Sequence, residues 1–292
     1  MRQKILAGSA ALLLALGLNG NASAATLELA LVIDGSSSIN ASEWELQIDA
    51  YRSVFDNDFY TTFIVPSDFD QVYVAAYIFS GGFEWGFEGQ PTTEVFVFSV
   101  LDWALINDNA TAAAFGAQFA GIPQPNGTTA TAEALNVAAA GGTAGCPGAF
   151  DVCNIEEQTV AGIANNGIDS DVQVIDISTD GQPTEPNGDG TPNPADDALA
   201  IAAADSARAL GITVNAIGVL GDGIDVNFLE ALVGLDPVST PSGFVLTADS
   251  FDTFEETLRD KVAREIIPVP AALPMFLSAL AGLGLWRRRA AA

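Results

Sequence analysis

Two aspartates, two serines and a threonine are the residues of this 292-residue chain whose types and spacing suggest metal chemistry. Asp34 ends an apolar segment that is predicted to be a strand, and Ser36 and Ser38 follow it. Asp180 follows a second such segment, and Thr129 lies in a loop that enters a predicted helix. Hard divalent cations prefer oxygen ligands, and Mg²⁺ takes six of them in near-octahedral geometry. Three hydroxyls and two carboxylates suit that requirement, so these residues form a candidate cation site.

The composition excludes several other kinds of site. The chain has no histidine, which removes Ser-His-Asp and Cys-His catalysis, imidazole metal sites and histidine pH switches. The formal net charge is −27, and Arg52 is the only basic residue between Ile5 and Ala207. Nucleic-acid partners are not expected, because phosphate backbones are neutralised by Lys and Arg. A hydrophobic content of 49% is ample for a packed core.

Strand-like and helix-like segments alternate along residues 25–267, which predicts a doubly wound, mostly parallel sheet with helices on both faces. Ligands of such sheets bind at the carboxyl ends of the strands, where Asp34 and Asp180 are expected. Ser42-Glu43-Trp44-Glu45 predicts a capping box at the start of the first helix. The predicted strands are 27–33, 72–79, 93–100 (an edge strand), 172–178, 212–219 and 244–246. The predicted helices are 109–119, 131–140, 194–210 and 225–233. A last predicted helix is marked by the apolar residues Phe251, Phe254, Leu258 and Val262.

These motifs resemble the metal-ion-dependent adhesion site of the von Willebrand factor A (VWA) domain. Asp34-x-Ser36-x-Ser38 matches the family's D-x-S-x-S motif, G-T-T-A-T around Thr129 matches its threonine loop, and Asp180 in I-S-T-D-G matches its second aspartate. The resemblance covers nearly all of 25–267 and implies the VWA fold. It also implies that the hydroxyls ligate Mg²⁺, Mn²⁺ or Ca²⁺, while the aspartates act largely through water. Thr128 is the neighbouring alternative to Thr129, although the spacing to the following A-L pair favours Thr129.

The resemblance implies a binding protein that is not an enzyme. In such sites an open coordination position of the cation takes a carboxylate from a partner, so we expect a protein or polysaccharide partner with carboxylate groups. One alternative is an acidic structural protein of the surface or matrix, whose cation only stabilises the fold. Another is a hydrolase with a metal-activated water, for which the sequence offers no separate general base. A chelatase or ATPase accessory role, known elsewhere in the superfamily, conflicts with the export signals.

Both ends of the chain have the pattern of sorting signals. Residues 1–24 have a basic start, an apolar run and the A-x-A-type site Ala22-Ser23-Ala24, which predicts a secretory signal peptide. Residues 268–292 combine prolines, an apolar stretch and Arg287–Arg289, and they resemble the PEP-CTERM sorting signals, most closely the VPLPA variant. That resemblance implies processing by an exosortase-type protease, transient anchoring in the inner membrane, and delivery to the cell surface or extracellular matrix. A plain C-terminal anchor is the alternative.

The only two cysteines, Cys146 and Cys153, lie in a predicted loop insertion at 141–154. In an exported protein two nearby cysteines most often form a disulfide, which would close this insertion. Zinc binding, a redox role and free thiols are the alternatives. Zinc sites usually have more Cys or His ligands, and redox pairs usually have the tighter C-x-x-C spacing.

The sorting pattern makes a prediction about the native protein. We expect the mature chain to lack both Arg2 and Arg287–Arg289, because both terminal segments are processed during export. Intact-mass spectrometry of native material measures this. A mass that includes the C-terminal arginines would instead indicate a simple membrane anchor.

Overall fold

A computed structural model describes residues 25–56, 58–81, 96–146, 153–184, 191–235 and 243–267. The predicted sorting segments, 1–24 and 268–292, lie outside these ranges. Within them, no helix has the length and apolar character needed to cross a membrane.

Strands and helices alternate along most of the described chain. The strands are β1 (Ala25–Asp34), β2 (Phe69–Phe79), β3 (Val97–Ile106), β4 (Gly142–Ala144), β5 (Gln158–Val160), β6 (Val172–Thr179), β7 (Thr213–Val219) and β8 (Val245–Ala248). The α-helices are α1 (Ala41–Val54), α2 (Asn109–Ala117), α3 (Thr131–Ala140), α4 (Pro194–Ala209), α5 (Val226–Leu232) and α6 (Phe254–Ile266).

Six of the strands form one sheet in the order β3-β2-β1-β6-β7-β8. Strand β3 is antiparallel to β2, and the other neighbouring strands are parallel. The chain moves from β1 outward to one edge and then returns to β6 beside β1. The strand order therefore reverses between β1 and β6, which is the switch point where doubly wound sheets bind their ligands.

Hydrophobic clusters cover both faces of this sheet. Leu29 and Leu31 of β1 lie in a cluster with side chains of α1, α2 and α6. Ala30 and Val32 of the same strand point the other way, into a cluster with α3, α4 and α5. Alternate residues of a strand face opposite sides, so a strand covered on both sides is apolar throughout. The predicted doubly wound architecture is confirmed, and it is the VWA fold.

The main differences from the predicted elements are local. The capping box of α1 uses Asn40 and Glu43, not Ser42 and Glu45: the Asn40 side chain accepts from the backbone of Ser42 and Glu43, and the Glu43 carboxylate accepts from Asn40 N. The observed pair, Asn40 and Glu43, has the same spacing as the predicted pair, Ser42 and Glu45, and Asn is at least as good an N-cap residue as Ser. The described part of the edge strand β3 begins at Val97 and continues to Ile106, beyond its predicted end.

The predicted insertion at 141–154 contains secondary structure of its own. Strand β4 pairs antiparallel with β5, and the backbone N–H of Cys146 donates to Ile155 O at 3.2 Å. Cys146 and Cys153 form a disulfide, with their Cα atoms 5.8 Å apart. The bond closes the short connection that precedes β5.

We predict that replacing both Cys146 and Cys153 with serine lowers the free energy of unfolding by roughly 2–3 kcal/mol, because the closed loop is short and restricts the unfolded chain only modestly. Denaturant titration of the two proteins measures the difference. The wild-type protein should show no free thiol until a reductant is added. Quantitative thiol labelling of unreduced protein would contradict the pairing.

Candidate metal centre

The buried carboxylate of Asp34 joins the ends of the two central strands. One of its oxygens accepts from the backbone N–H of Ser36 at 2.8 Å, and the other accepts from the Thr179 hydroxyl of β6 at 2.6 Å. Gln47 of α1 also donates to the backbone oxygen of Asp34, at 2.7 Å. Burial raises the pKa of Asp34, while the hydrogen bonds from Thr179 and Ser36 lower it. The aspartate therefore fixes the serine loop relative to β6.

The two serines form a chain of hydroxyls that ends on the second aspartate. The Oγ atoms of Ser36 and Ser38 are 2.9 Å apart, and Ser38 Oγ donates to Asp180 Oδ1 at 2.7 Å. Ser36 and Asp180 are buried, whereas Ser38 is exposed. The structure thus brings together Asp34, Ser36, Ser38 and Asp180, and Ser38 is the member most accessible to solvent.

Thr129, in a third loop, also lies close to Ser38, beside Gly181. An ideal Cβ atom built on Gly181 would lie 3.7 Å from Ser38 Oγ and 3.8 Å from Thr129 Oγ1. Both hydroxyls therefore lie beside the same small space next to Gly181. Thr128, the neighbouring alternative, lines the pocket beside Thr129.

Residues that the sequence did not single out hold these loops in place. Thr184 accepts from Thr129 N through its hydroxyl and donates its own N–H to Thr129 O, both at 2.9 Å. Gln124 donates to the backbone oxygens of Ser36 and Ile39, at 3.0 and 2.6 Å. Thr179 belongs to the I-S-T-D-G motif around Asp180, so its place in that motif could have identified it as a supporting residue. Thr184 and Gln124 lie in irregular segments that have no such pattern.

The threonine loop also requires close backbone contact with its neighbours. Ser37 N donates to Gly127 O at 2.7 Å, and Asn126 N donates to Gly35 O at 2.8 Å. A Cβ atom at Gly127 would lie 2.4 Å from the backbone oxygen of Gly81, so only glycine fits this approach. These contacts place the serine and threonine loops side by side.

The three loops surround an open pocket of about 200 Å³. Its lining residues carry no formal charge, and they include Ser38, Thr129, Gly181, Gln182 and Thr184. Among the described residues, no group of three or more Asp, Glu, Cys or His side chains is arranged to hold a metal ion. A cation held here would therefore have hydroxyl oxygens as its main protein ligands and two nearby carboxylates for charge. That donor set fits a hard divalent ion such as Mg²⁺ better than a soft one.

We predict that Thr179→Val lowers the free energy of unfolding by roughly 1–3 kcal/mol, because a buried carboxylate oxygen of Asp34 loses its hydroxyl donor while the side-chain shape is kept. Thr247→Val is the matched control, since Thr247 is an exposed threonine of strand β8. Denaturant unfolding of both variants measures the effect. Equal stability of the two variants would show that the Thr179 bond to Asp34 contributes little.

Three solved structures are similar to this chain. The pilus adhesin SpaC of Lactobacillus rhamnosus GG is 15% identical with a TM-score of 0.52, over 83% of this chain and 31% of SpaC. The PilB minor pilin of Streptococcus sanguinis is 12% identical with a TM-score of 0.50, over 84% of this chain and 63% of the PilB chain. Proximal thread matrix protein 1 of the mussel byssus is 20% identical with a TM-score of 0.46, over 83% of this chain. This chain spans 47% of that matrix protein.

Sequence comparison identifies the family. No curated protein has a significantly matching sequence. A family model described as "Protein of unknown function (DUF1194)" matches residues 24–156 and 155–270, which is most of the chain. The chain therefore belongs to the DUF1194 family.

Proposed function

We propose that this protein is an exported adhesion or binding protein that uses a divalent cation to bind a carboxylate group of a partner. Ser36, Ser38 and Thr129 would hold the cation through their hydroxyls, and Asp34 and Asp180 would supply negative charge, largely through water. When bound, the cation supplies a positive centre that accepts a carboxylate oxygen. The partner is a protein or polysaccharide at the cell surface or in the matrix.

The convergence of hydroxyls from two separate loops at Gly181 carries this proposal. Ser38 follows β1, and Thr129 precedes α3, yet both hydroxyls lie beside one space. Asp180 contacts Ser38 directly at that space. A purely structural loop cluster does not need an open pocket at this position, whereas ligand binding does. The openness of the pocket and the exposure of Ser38 support a binding role.

The charge distribution explains why a cation would be required. Five basic residues occur between 25 and 267, and none of them lines the pocket. Arg52 and Arg208 lie in the last turns of α1 and α4, the helices that begin near the site and run away from it. The other three lie on α6. A partner carboxylate in the pocket would therefore be repelled by the nearby buried Asp34 and Asp180, with no basic side chain to attract it, unless a cation is bound.

The alternative role, a cation that only stabilises the fold, is less well supported. Direct hydrogen bonds already connect the three loops: Thr179 to Asp34, Ser38 to Asp180, and Thr184 to Thr129. These bonds position the loops without a metal ligand. A cation added to this arrangement would contribute mainly its unfilled coordination position.

Export and the place of action form part of the same proposal. The signal peptide at 1–24 would direct secretion, and the segment at 268–292 would anchor the chain transiently until an exosortase-type protease processes it. SpaC, a pilus adhesin, shares the fold, which is consistent with a role in adhesion. A surface or matrix location also suits a chain whose net charge is −27.

We predict that Ser38→Ala and Thr129→Ala fold normally but lose most of their affinity for Mg²⁺ and Mn²⁺, because each removes a neutral oxygen ligand from a loop and leaves the hydrophobic clusters intact. Asp34→Ala should have a larger effect, because it also removes the acceptor for Ser36 and Thr179. Calorimetric titration with Mg²⁺, beside circular dichroism, measures both properties.

Ser206→Ala is the matched control, since Ser206 is an exposed serine of α4. Equal metal affinity in all variants would overturn the site assignment. Capture of partners from the native cell surface, with Mg²⁺ or with EDTA, tests the role of the site. If Ser38→Ala loses the metal but captures partners as well as wild type, the cation is structural and the adhesion proposal is wrong.

A further inference from the structure

A second group of polar side chains lies inside the domain, away from the metal centre. We call it the α6 lysine cluster, and it consists of Lys261 and Glu265 on α6, Asp176 on β6 and Asn215 on β7. All four side chains are buried, and those of Lys261, Asp176 and Glu265 have no measurable exposure. Asp176 and Asn215 are paired neighbours in the sheet. The proposed adhesion function does not use this cluster.

Lys261 lies between the two carboxyl groups. Its Nζ atom contacts Asp176 Oδ1 directly and lies 3.0 Å from Glu265 Oε1. The same Glu265 oxygen accepts from Asn215 Nδ2 at 2.8 Å. Neither oxygen of Asp176 has a hydrogen-bond partner among the described residues, so the contact with Lys261 is close but is not aligned as a hydrogen bond. The amine nitrogen thus lies directly beside the carboxyl group of Asp176.

Burial makes ions costly in this cluster. Removing a lysine and a carboxylate from water carries a large cost for each ion, and the attraction between them often fails to compensate fully. Burial and the nearby Asp176 raise the pKa of Glu265 above its usual range, although Lys261 and Asn215 act in the opposite direction. The raised pKa suits the Glu265 carboxyl group to take up and pass on a proton.

We propose that Lys261 and Asp176 form an intramolecular isopeptide bond, with Glu265 as the proton-transfer residue. A water-excluded site that holds an amine against a carboxyl group provides the proximity that such a condensation needs. The product replaces a buried ion pair with a neutral amide, which removes the cost of burying two charges.

The reaction balances without an added reagent. Proton transfer within the pair converts the Lys261 ammonium and the Asp176 carboxylate into a neutral amine and a carboxylic acid. The amine nitrogen attacks Cγ of Asp176, so that a C–N bond forms, and the C–OH bond of the acid breaks. Glu265 accepts the proton released by the nitrogen and transfers a proton to the departing hydroxyl, which leaves as water. No group is oxidised or reduced.

The bond would connect two functionally distinct parts of the chain. Asp176 precedes Asp180 of the metal centre by four positions, on the strand that leads into it, and α6 leads directly to residues 268–292. Tension between a bound partner and a C-terminal attachment would then pass through a covalent link from β6 to α6. Without this link, noncovalent packing between the sheet and α6 would carry that load.

Intact-mass spectrometry of the full exported chain tests the bond. We expect a mass that is lower, by one water, than the mass of the processed chain with its disulfide. Tandem spectrometry of a proteolytic digest should find the peptide of Lys261 joined to the peptide of Asp176. A loss of one ammonia instead would identify Asn215 as the acceptor, and a bond to Glu265 would appear as a link within α6; either result would overturn the assignment to Asp176.

Variants separate the roles of the three residues. Lys261→Met should regain the full mass, whereas Arg52→Met, which changes an exposed basic residue of α1, should keep the loss of water. Asp176→Asn should lose ammonia in place of water if it still reacts, and Glu265→Gln should show little or no loss. An undiminished wild-type mass would show that the cluster is an ordinary buried ion pair, and it would leave the proposed adhesion function untouched. Loss of water in Glu265→Gln equal to wild type would remove the proton-transfer role.

Discussion

The buried carboxylate of Asp34 accepts hydrogen bonds from Ser36 N and from the Thr179 hydroxyl, and the arrangement of the candidate metal centre depends on this bridge. It spans β1 and β6, the two strands between which the strand order reverses. A buried carboxylate is unfavourable unless it is well hydrogen-bonded, so the strand ends and the serine loop must adopt one mutual geometry. The hydroxyls of Ser36 and Ser38 then follow in sequence toward Asp180.

Charge is the second constraint that shapes the molecule. The pocket is lined by neutral residues, among them hydroxyls, and has no basic lining residue among those described, while Asp34 and Asp180 are buried nearby. In the proposed site the direct ligands of the cation would be neutral hydroxyls, which leaves a coordination position for a further carboxylate. Lys261 represents the opposite case, because its amine is buried in direct contact with the carboxyl groups of Asp176 and Glu265. The acidic groups near the pocket and those of the α6 lysine cluster therefore each require a compensating positive charge or a proton nearby.

The fold could be predicted from the sequence, and so could the meeting of Asp34, Ser36, Ser38 and Asp180 at one edge of the sheet, because both depend on local patterns. Apolar strands that end in Asp34 and in Thr179-Asp180 are enough to place polar groups at one edge of the sheet. The N-cap residue Asn40 was not predicted because two overlapping segments, Asn40 to Glu43 and Ser42 to Glu45, both have the spacing of a capping box. The supporting role of Thr184 and the meeting of Lys261 with Asp176 depend on contacts between distant parts of the chain, and no periodic pattern encodes them. A charged residue in the middle of a buried strand, Asp176, was nevertheless a visible signal that a partner must exist.

The most direct measurement of the central claim is a crystal structure of the protein soaked with Mn²⁺, in which anomalous scattering locates the ion. We expect one dominant anomalous peak in the space next to Gly181, within ligand distance of the hydroxyls of Ser38 and Thr129. Well-ordered loops without a peak there, or a dominant peak elsewhere on the acidic surface, would contradict the proposal that these three loops form a cation-binding site.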